Sequence, residues 1–171
     1  MKDKALKMFE KVNITLTEVE KQNLEVADFG LDKVEDTGLQ LVTYINTSKV
    51  CAKELVLLPR QTCPEHKHPK RSFDEGKEET FRCRYGKVYL YVEGEETVNR
   101  CANPPSGDEA YYTALKEIIL NPGEQYTIYP NTLHWFQAGS EGAIVSEFST
   151  RSTDEEDIFT DPRINRIPDI D

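Results

Sequence analysis

The residues best suited to chemistry lie in Cys63-Pro64-Glu65-His66-Lys67-His68 and in Glu79-Thr80-Phe81-Arg82-Cys83-Arg84-Tyr85-Gly86. Side chains two apart on a strand project to one side, so His66 and His68 offer two imidazoles together. Ten residues separate His68 from Glu79, enough for a loop that brings a second strand alongside. On that strand Glu79 shares a face with Phe81, Cys83 and Tyr85, and Thr80, Arg82 and Arg84 take the other. The arginines mark the solvent side, which turns Glu79 inward. An inward carboxylate needs a counter-charge, because burying it alone is costly or shifts its pKa. A divalent cation supplies that charge. His134 opens a strand after the proline turn Pro130-Asn131-Thr132-Leu133, placed to add a third imidazole from across the fold. Three nitrogens and one carboxylate oxygen make a four-ligand site with open positions, suited to Mn, Fe, Ni or Zn. A single histidine is more often an ordinary core or surface residue, so the set of three with an inward acid carries the reading. Cys63 would suit a zinc knuckle, but no Cys-x-x-Cys or His-x-x-x-His follows it. It reads as a small buried hydrophobe.

The elements that must hold these residues are strands. From Gly38 onward the period is that of β-structure, in Leu39–Tyr44, Cys51–Leu58, Thr80–Tyr85, Val88–Glu93, Tyr112–Leu120, Gln125–Tyr129, His134–Ala138 and Ala143–Ser149. Turn chemistry separates them at Asn46-Thr47-Ser48, Tyr85-Gly86-Lys87, Glu93-Gly94-Glu95, Asn121-Pro122-Gly123-Glu124 and Gly139-Ser140-Glu141-Gly142. Short strands at this spacing with no helix between them predict an all-β antiparallel barrel of jelly-roll type. The first 37 residues carry helical signals instead: Ala5, Leu6 and Phe9 recur at helix spacing, and Thr17-x-x-Glu20 opens a second helix as a capping box. Both have thin apolar faces and are expected to lie on the larger body. The chain therefore reads as one domain, with a helical N-terminal extension over 1–37, a barrel over 38–150 and a tail over 151–171. The tail holds seven acids and three arginines, the composition of a solvated extension. Ile158, Phe159, Ile164, Ile167 and Ile170 are spaced through it, which predicts that it packs along the barrel.

Composition narrows the function. Lys and Arg number 21 against 31 Asp and Glu, a net charge of −10. That disfavours nucleic-acid backbones and anionic membranes as partners, since both are held by Lys/Arg patches. The longest apolar runs, such as Leu55–Leu58 and Ile118–Leu120, are far too short to span a bilayer. The N-terminus Met1-Lys2-Asp3-Lys4-Ala5-Leu6 has no apolar signal core, so a cytoplasmic location is expected, with Cys51, Cys63, Cys83 and Cys101 reduced.

The two site segments resemble the paired motifs of the cupin superfamily, whose fold is a small β-barrel with an interior metal. His66, His68, Glu79 and Gly86 match the first motif, and Gly123, Pro130 and His134 the second. Two departures are a longer gap between His68 and Glu79 and a proline one residue nearer its histidine, both of which imply altered loops. More narrowly, the chain is similar to the D-lyxose ketol-isomerase family through most of its length. The likeness includes Cys51-Ala52-Lys53, His134-Trp135-Phe136-Gln137-Ala138-Gly139, Glu147-Phe148-Ser149-Thr150 and the run from Asp154 to Arg163. The resemblance implies a cupin-type fold and interconversion of D-lyxose with D-xylulose, and of D-mannose with D-fructose. It also implies a homodimer and one divalent metal per chain, Mn2+ first, with Zn2+, Fe2+, Co2+ and Ni2+ as alternatives. His66, His68, Glu79 and His134 would be its ligands. A cupin dioxygenase or decarboxylase with the same ligands, and a non-catalytic sugar-binding cupin, are the competing readings, because the fold hosts many chemistries.

Aldose–ketose exchange through a metal-stabilised enediol needs a base for the carbon-bound proton. Glu147 is the first candidate: it is the lone acid of its strand and shares a face with Val145 and Ser149, although an outward strand-edge position would suit it equally. Lys53, on the face of Leu55 and Leu57, is the second, to polarise a sugar oxygen or assist proton transfer; snorkelling to solvent is its ordinary alternative. Asp157 and Arg163 are expected to close over the site and bind hydroxyls. Trp135 and Phe136, next to His134, are candidates for the sugar-pocket wall or for plain core packing.

Overall fold

A computed structural model describes residues 1–71 and 75–166 of the chain. Helix α1 (Lys2–Lys11) turns Ala5 and Phe9 inward. Helix α2 (Glu18–Gln22) opens on the predicted capping box: the Thr17 amide donates to Glu20 Oε2 at 2.7 Å, and the Glu20 amide donates to Thr17 Oγ1 at 3.2 Å. Neither helix stands alone. Ala5, Phe9 and Leu16 pack with Leu24, Val26, Val42, Val56 and Ile144 on the outer face of the sheet.

Among the described residues nine strands follow: β1 (Glu25–Ala27), β2 (Leu39–Asn46), β3 (Cys51–Leu57), β4 (Thr62–Lys67), β5 (Glu79–Val92), β6 (Lys116–Leu120), β7 (Gln125–Ile128), β8 (His134–Ser149) and β9 (Ile158–Phe159). All named pairings are antiparallel. The expected all-β architecture with a helical N-terminal extension is present, with strand β1 added inside the first 37 residues. Strands β1 and β9, three and two residues long, are too short for alternation to register in the sequence. Strand β6 begins at Lys116, because the residues before it form a single 3-10 turn (Glu109–Tyr111) and fold Tyr112 and Ala114 over Trp135.

The main difference concerns two expected turns. Tyr85-Gly86-Lys87 and Gly139-Ser140-Glu141-Gly142 do not end strands; β5 and β8 run through them. Pairing passes from Gly86↔Ala143 to Val88↔Ala138, so residues 139–142 bulge outward and both strands bend at one corner. Gly86 at φ +71° and Gly142 at φ +78° allow it, and a Cβ on Gly86 would collide with the Gly142 carbonyl. The corner divides the sheet into two layers. One is built from β1, β2, β3, the second half of β8, the first half of β5 and β7. The other has β9, β4, the first half of β8, the second half of β5 and β6. Leu41, Leu55, Phe81 and Val145 of the first layer share one core with Cys63, Leu90, Val92 and Phe136 of the second. In the tail Phe159 and Ile164 pack against this core, whereas Ile158 is exposed. Ile167 and Ile170 lie outside the described residues.

Candidate active site

His66 on β4 and His134 on β8 are direct cross-strand partners. This corrects the expectation that His134 reaches in from across the barrel. The strand carrying Glu79 is likewise not beside β4, since β8 runs between β4 and β5. A bulge between Cys63 and His66 changes the parity of β4, so both residues face inward though three apart. Pro64 sits in that bulge, where no ladder donor is required. Its carbonyl accepts the His66 Nδ1 hydrogen at 2.8 Å.

The other two imidazoles are anchored in the same way. His134 Nδ1 donates to the Thr132 carbonyl at 2.9 Å, and His68 Nδ1 donates to Asp157 Oδ1 at 2.5 Å. With every Nδ1–H committed, each ring in its neutral form keeps its Nε2 lone pair for the interior. The ligand atoms of the three rings lie within 4.8 Å of one another. Glu79 Oε1 joins them, 3.2 Å from His68 Nε2 and 3.0 Å from His134 Nε2. Despite that proximity, the fully buried His134 Nε2 has no hydrogen bond of acceptable angle. An oriented lone pair without a donor, beside a buried carboxylate, fits a metal ion, and this buried cluster can bind one.

Electrostatics differ between His66 and His68. Burial, then His134 and His68, holds His66 well below the usual imidazole range, in the neutral form a metal ligand needs. Burial pulls His68 down as well, but the carboxylates of Glu79 and Asp157 outweigh it and push the pKa up to about 9. Burial works against ionisation of Glu79, yet Lys77 and His68 hold its carboxyl well below the usual range. Asp154, Asp157, Glu79 and Glu147 face the cavity beside Lys53, Lys77 and Arg166, and Arg166 is neutralised by Glu25 at 2.5 Å. With His68 in the neutral form a ligand takes, four carboxylates against the two remaining cations leave two negative charges, which one divalent cation cancels.

The first sheet layer supplies a second group of side chains. Glu147 on β8 is the register partner of Lys53 on β3 and of Phe81 on β5, so all three point into the cavity. Glu147 and Lys53 are 3% and 4% exposed, which removes the strand-edge and snorkelling alternatives. Lys53 Nζ donates to Ser152 Oγ at 2.9 Å and to Asp154 Oδ2 at 2.5 Å. Burial opposes its charge, but Glu147 and Asp154 raise its pKa and keep it an ammonium. Ser149 Oγ donates to Glu147 Oε1 at 3.1 Å.

Placement of the remaining candidates is uneven. Phe136 and Asp157 line the cavity. Trp135 does not: strand alternation sends it to the opposite face, where it stacks on Tyr91 with centroids 4.0 Å apart and donates to the Ala114 carbonyl at 2.9 Å. Arg163 is also outside, paired with Asp108 and Asp161 at 2.6 Å and held over the Tyr111 ring. Arg166 lines the cavity in place of Arg163, the residue expected there, whose guanidinium Asp161 and Asp108 hold outside. Lys77, Asp154 and Arg166 were not singled out from the sequence. Lys77 had one available signal, since two residues before Glu79 is the same face of an extended chain.

A family model described as D-lyxose isomerase matches residues 5–171. The D-lyxose/D-mannose isomerase of Thermosediminibacter oceani is 66% identical over 171 residues, covering 100% of this chain and 94% of that protein. The D-lyxose ketol-isomerase of Cohnella laeviribosi is 61% identical over 170 residues, 99% of this chain and 93% of that protein. Among solved structures, the L-ribose isomerase of Cellulomonas parahominis superposes with a TM-score of 0.78 at 16% identity, covering 98% of this chain and 92% of that one. The enzyme of that name from Geodermatophilus obscurus gives 0.72 at 18%, covering 97% and 86%. At those identities the structural likeness is one of fold. The family model and the sequence relatives place the chain in the D-lyxose isomerase family.

Proposed function

We propose that this chain interconverts D-lyxose with D-xylulose, and D-mannose with D-fructose, through an enediol, using one divalent cation per chain, Mn2+ foremost. The observation that carries the reading is Glu147: a buried carboxylate facing the same cavity as Glu79, His66 and His68, with His134 converging on those two imidazoles. The names of the full-length relatives support the choice of sugar.

A divalent cation held by His66, His68, His134 and Glu79 would supply Lewis-acid polarisation of the sugar's C1 and C2 oxygens. Glu147 takes the proton from C2 of the open-chain aldose and returns it to C1, while the hydroxyl proton passes from O2 to O1. Among the described residues Glu147 Oε2 accepts no hydrogen bond, so one oxygen anchors the base and the other is free to act. Lys53, held protonated, serves as a donor to a sugar oxygen and not as a base. Asp157 acts through His68, fixing its ring and tautomer. Phe136 and Phe159 form part of the apolar wall. The protein is proposed to work as a homodimer in the cytoplasm, as a single domain.

Anaerobic incubation with a panel of aldoses, with bound metal measured in parallel, tests the assignment. Ketose formed from D-lyxose and D-mannose without oxygen uptake or carbon dioxide release is the expected result. Oxygen consumption or decarboxylation would point to the competing cupin chemistries, and saturable sugar binding without ketose to a binding module.

A further inference from the structure

We infer that Lys77 is a positioning residue that locks the base Glu147 to the metal-ligand carboxylate Glu79. Its ammonium lies 2.7 Å from Glu79 Oε2 and 2.6 Å from Glu147 Oε1. One nitrogen therefore holds the outer oxygen of the ligand acid and the anchored oxygen of the base. Lys77 is 7% exposed, and its remaining ion-pair neighbour is Asp154 at 3.8 Å. The two carboxylates come from different strands, β5 and β8, and are not register partners: Glu79 pairs with Ser149, and Glu147 with Phe81. Ser149 Oγ anchors Glu147 and the imidazoles approach Glu79, each on its own side, whereas the Lys77 ammonium touches both carboxylates and ties one to the other. The consequence is geometric. Glu79 presents Oε1 to the histidines because Oε2 is taken, and Glu147 presents Oε2 to the sugar because Oε1 is taken. A reacting group must be held to about 0.5 Å of its productive position, and Lys77 supplies that link between the metal centre and the base.

The inference rests on the isomerase reading for its kinetic half, and its other half is read on metal affinity alone. Lys77→Met keeps the aliphatic stem and removes the ammonium. Titration with Mn2+ is expected to show affinity weakened by about 10-fold, and kcat on D-lyxose to fall by about 100-fold with KM little changed. Lys77→Arg, which restores a cation at that depth, is expected to recover part of both, which loss of packing would not explain. Wild-type Mn2+ affinity in Lys77→Met overturns the inference, as does a loss confined to thermal stability. If wild-type protein fails to isomerise D-lyxose, the proposed function falls, and Mn2+ affinity still decides the tie to Glu79. Should Lys77→Met fail to fold, Lys77→Met/Glu147→Gln deletes a cation and an anion together and gives the same affinity readout.

Discussion

Glu147 and Glu79 are both buried acids, yet the surroundings give them different work. Glu79 Oε1 lies among imidazole nitrogens, whereas Glu147 sits on the wall with Lys53 and Ser149. Glu147→Gln is therefore expected to lower kcat by about 100- to 10,000-fold and to leave bound Mn2+ per chain unchanged, as measured by elemental analysis. Loss of metal in that variant, or full activity, removes Glu147 from the mechanism. A third buried acid does neither job. Glu54, 5% exposed, faces the outer side of β3, accepts from Ser146 Oγ at 2.6 Å and leaves Oε2 without a hydrogen bond. Burial raises its pKa against the pull of Ser146 and Arg84. A carboxyl whose folded pKa is raised favours the fold in its protonated form. Its penalty is absent below the unfolded pKa, grows as pH rises towards the folded one and is complete above it. Glu54→Gln is expected to stabilise the protein by about 1 kcal/mol at pH 7, with the gain shrinking towards zero below about pH 4. Urea denaturation at both pH values would read this out, and a gain of equal size at low pH would refute it.

Among elements, the long strands β5 and β8 do most to place the site. Each bends at the Gly86–Gly142 corner, with one half in each layer. Gly86→Ala is expected to destabilise the fold by more than about 1 kcal/mol, because a positive φ and a backbone collision act together. A midpoint unchanged in urea would show that the corner can relax. The same glycines explain why strand ends were the least legible feature of the sequence. Gly86 and Gly139–Gly142 carry turn chemistry, and local signals do not tell a turn from a bulge across which pairing resumes. Alternation was informative where the ladder is regular: it set the inward faces of Glu79, Phe81 and Cys83, and left Lys53 and Glu147 open between inside and outside. It failed at Tyr85, expected on the inward face, because a bulge after Cys83 turns that ring to the outer cluster beneath α1. It was silent on Trp135, whose neighbour Phe136 takes the cavity, and on the tail. There, side chains reach the cavity through a 3-10 turn and a two-residue strand, and no periodicity marks Asp154 or Arg166. Lys77 was hidden for a related reason: it precedes β5, where no ladder fixes parity.

For the whole molecule, the outer face of the first sheet layer is the open question that chemistry leaves behind. The N-terminal helices cover Val42, Val56 and Ile144 on that face. Beyond them a row crosses the sheet through Ile45, Ala52, Phe148, Thr80 and Thr127, with Ile45 46% and Phe148 51% exposed and Tyr44 beside them at 42%. Apolar side chains grouped on a sheet face suit burial against another surface. For a homodimer that surface is the same row on a second copy, related by a two-fold axis. A net charge of −10 makes each copy repel the other at long range, so association needs a central patch without acids, and this row has none. Phe148→Asp places a charge in the middle of it. Wild-type protein is expected to sediment as a dimer at micromolar concentration and the variant as a monomer with an unchanged circular dichroism spectrum. A monomeric wild type, or a dimer that tolerates the aspartate, rules this face out as the interface. Phe148 also follows Glu147 on β8, and Ala52 precedes Lys53 on β3. A dimer built on this row would clamp the two strands that carry the base and the ammonium, so the monomeric variant is further expected to lose kcat.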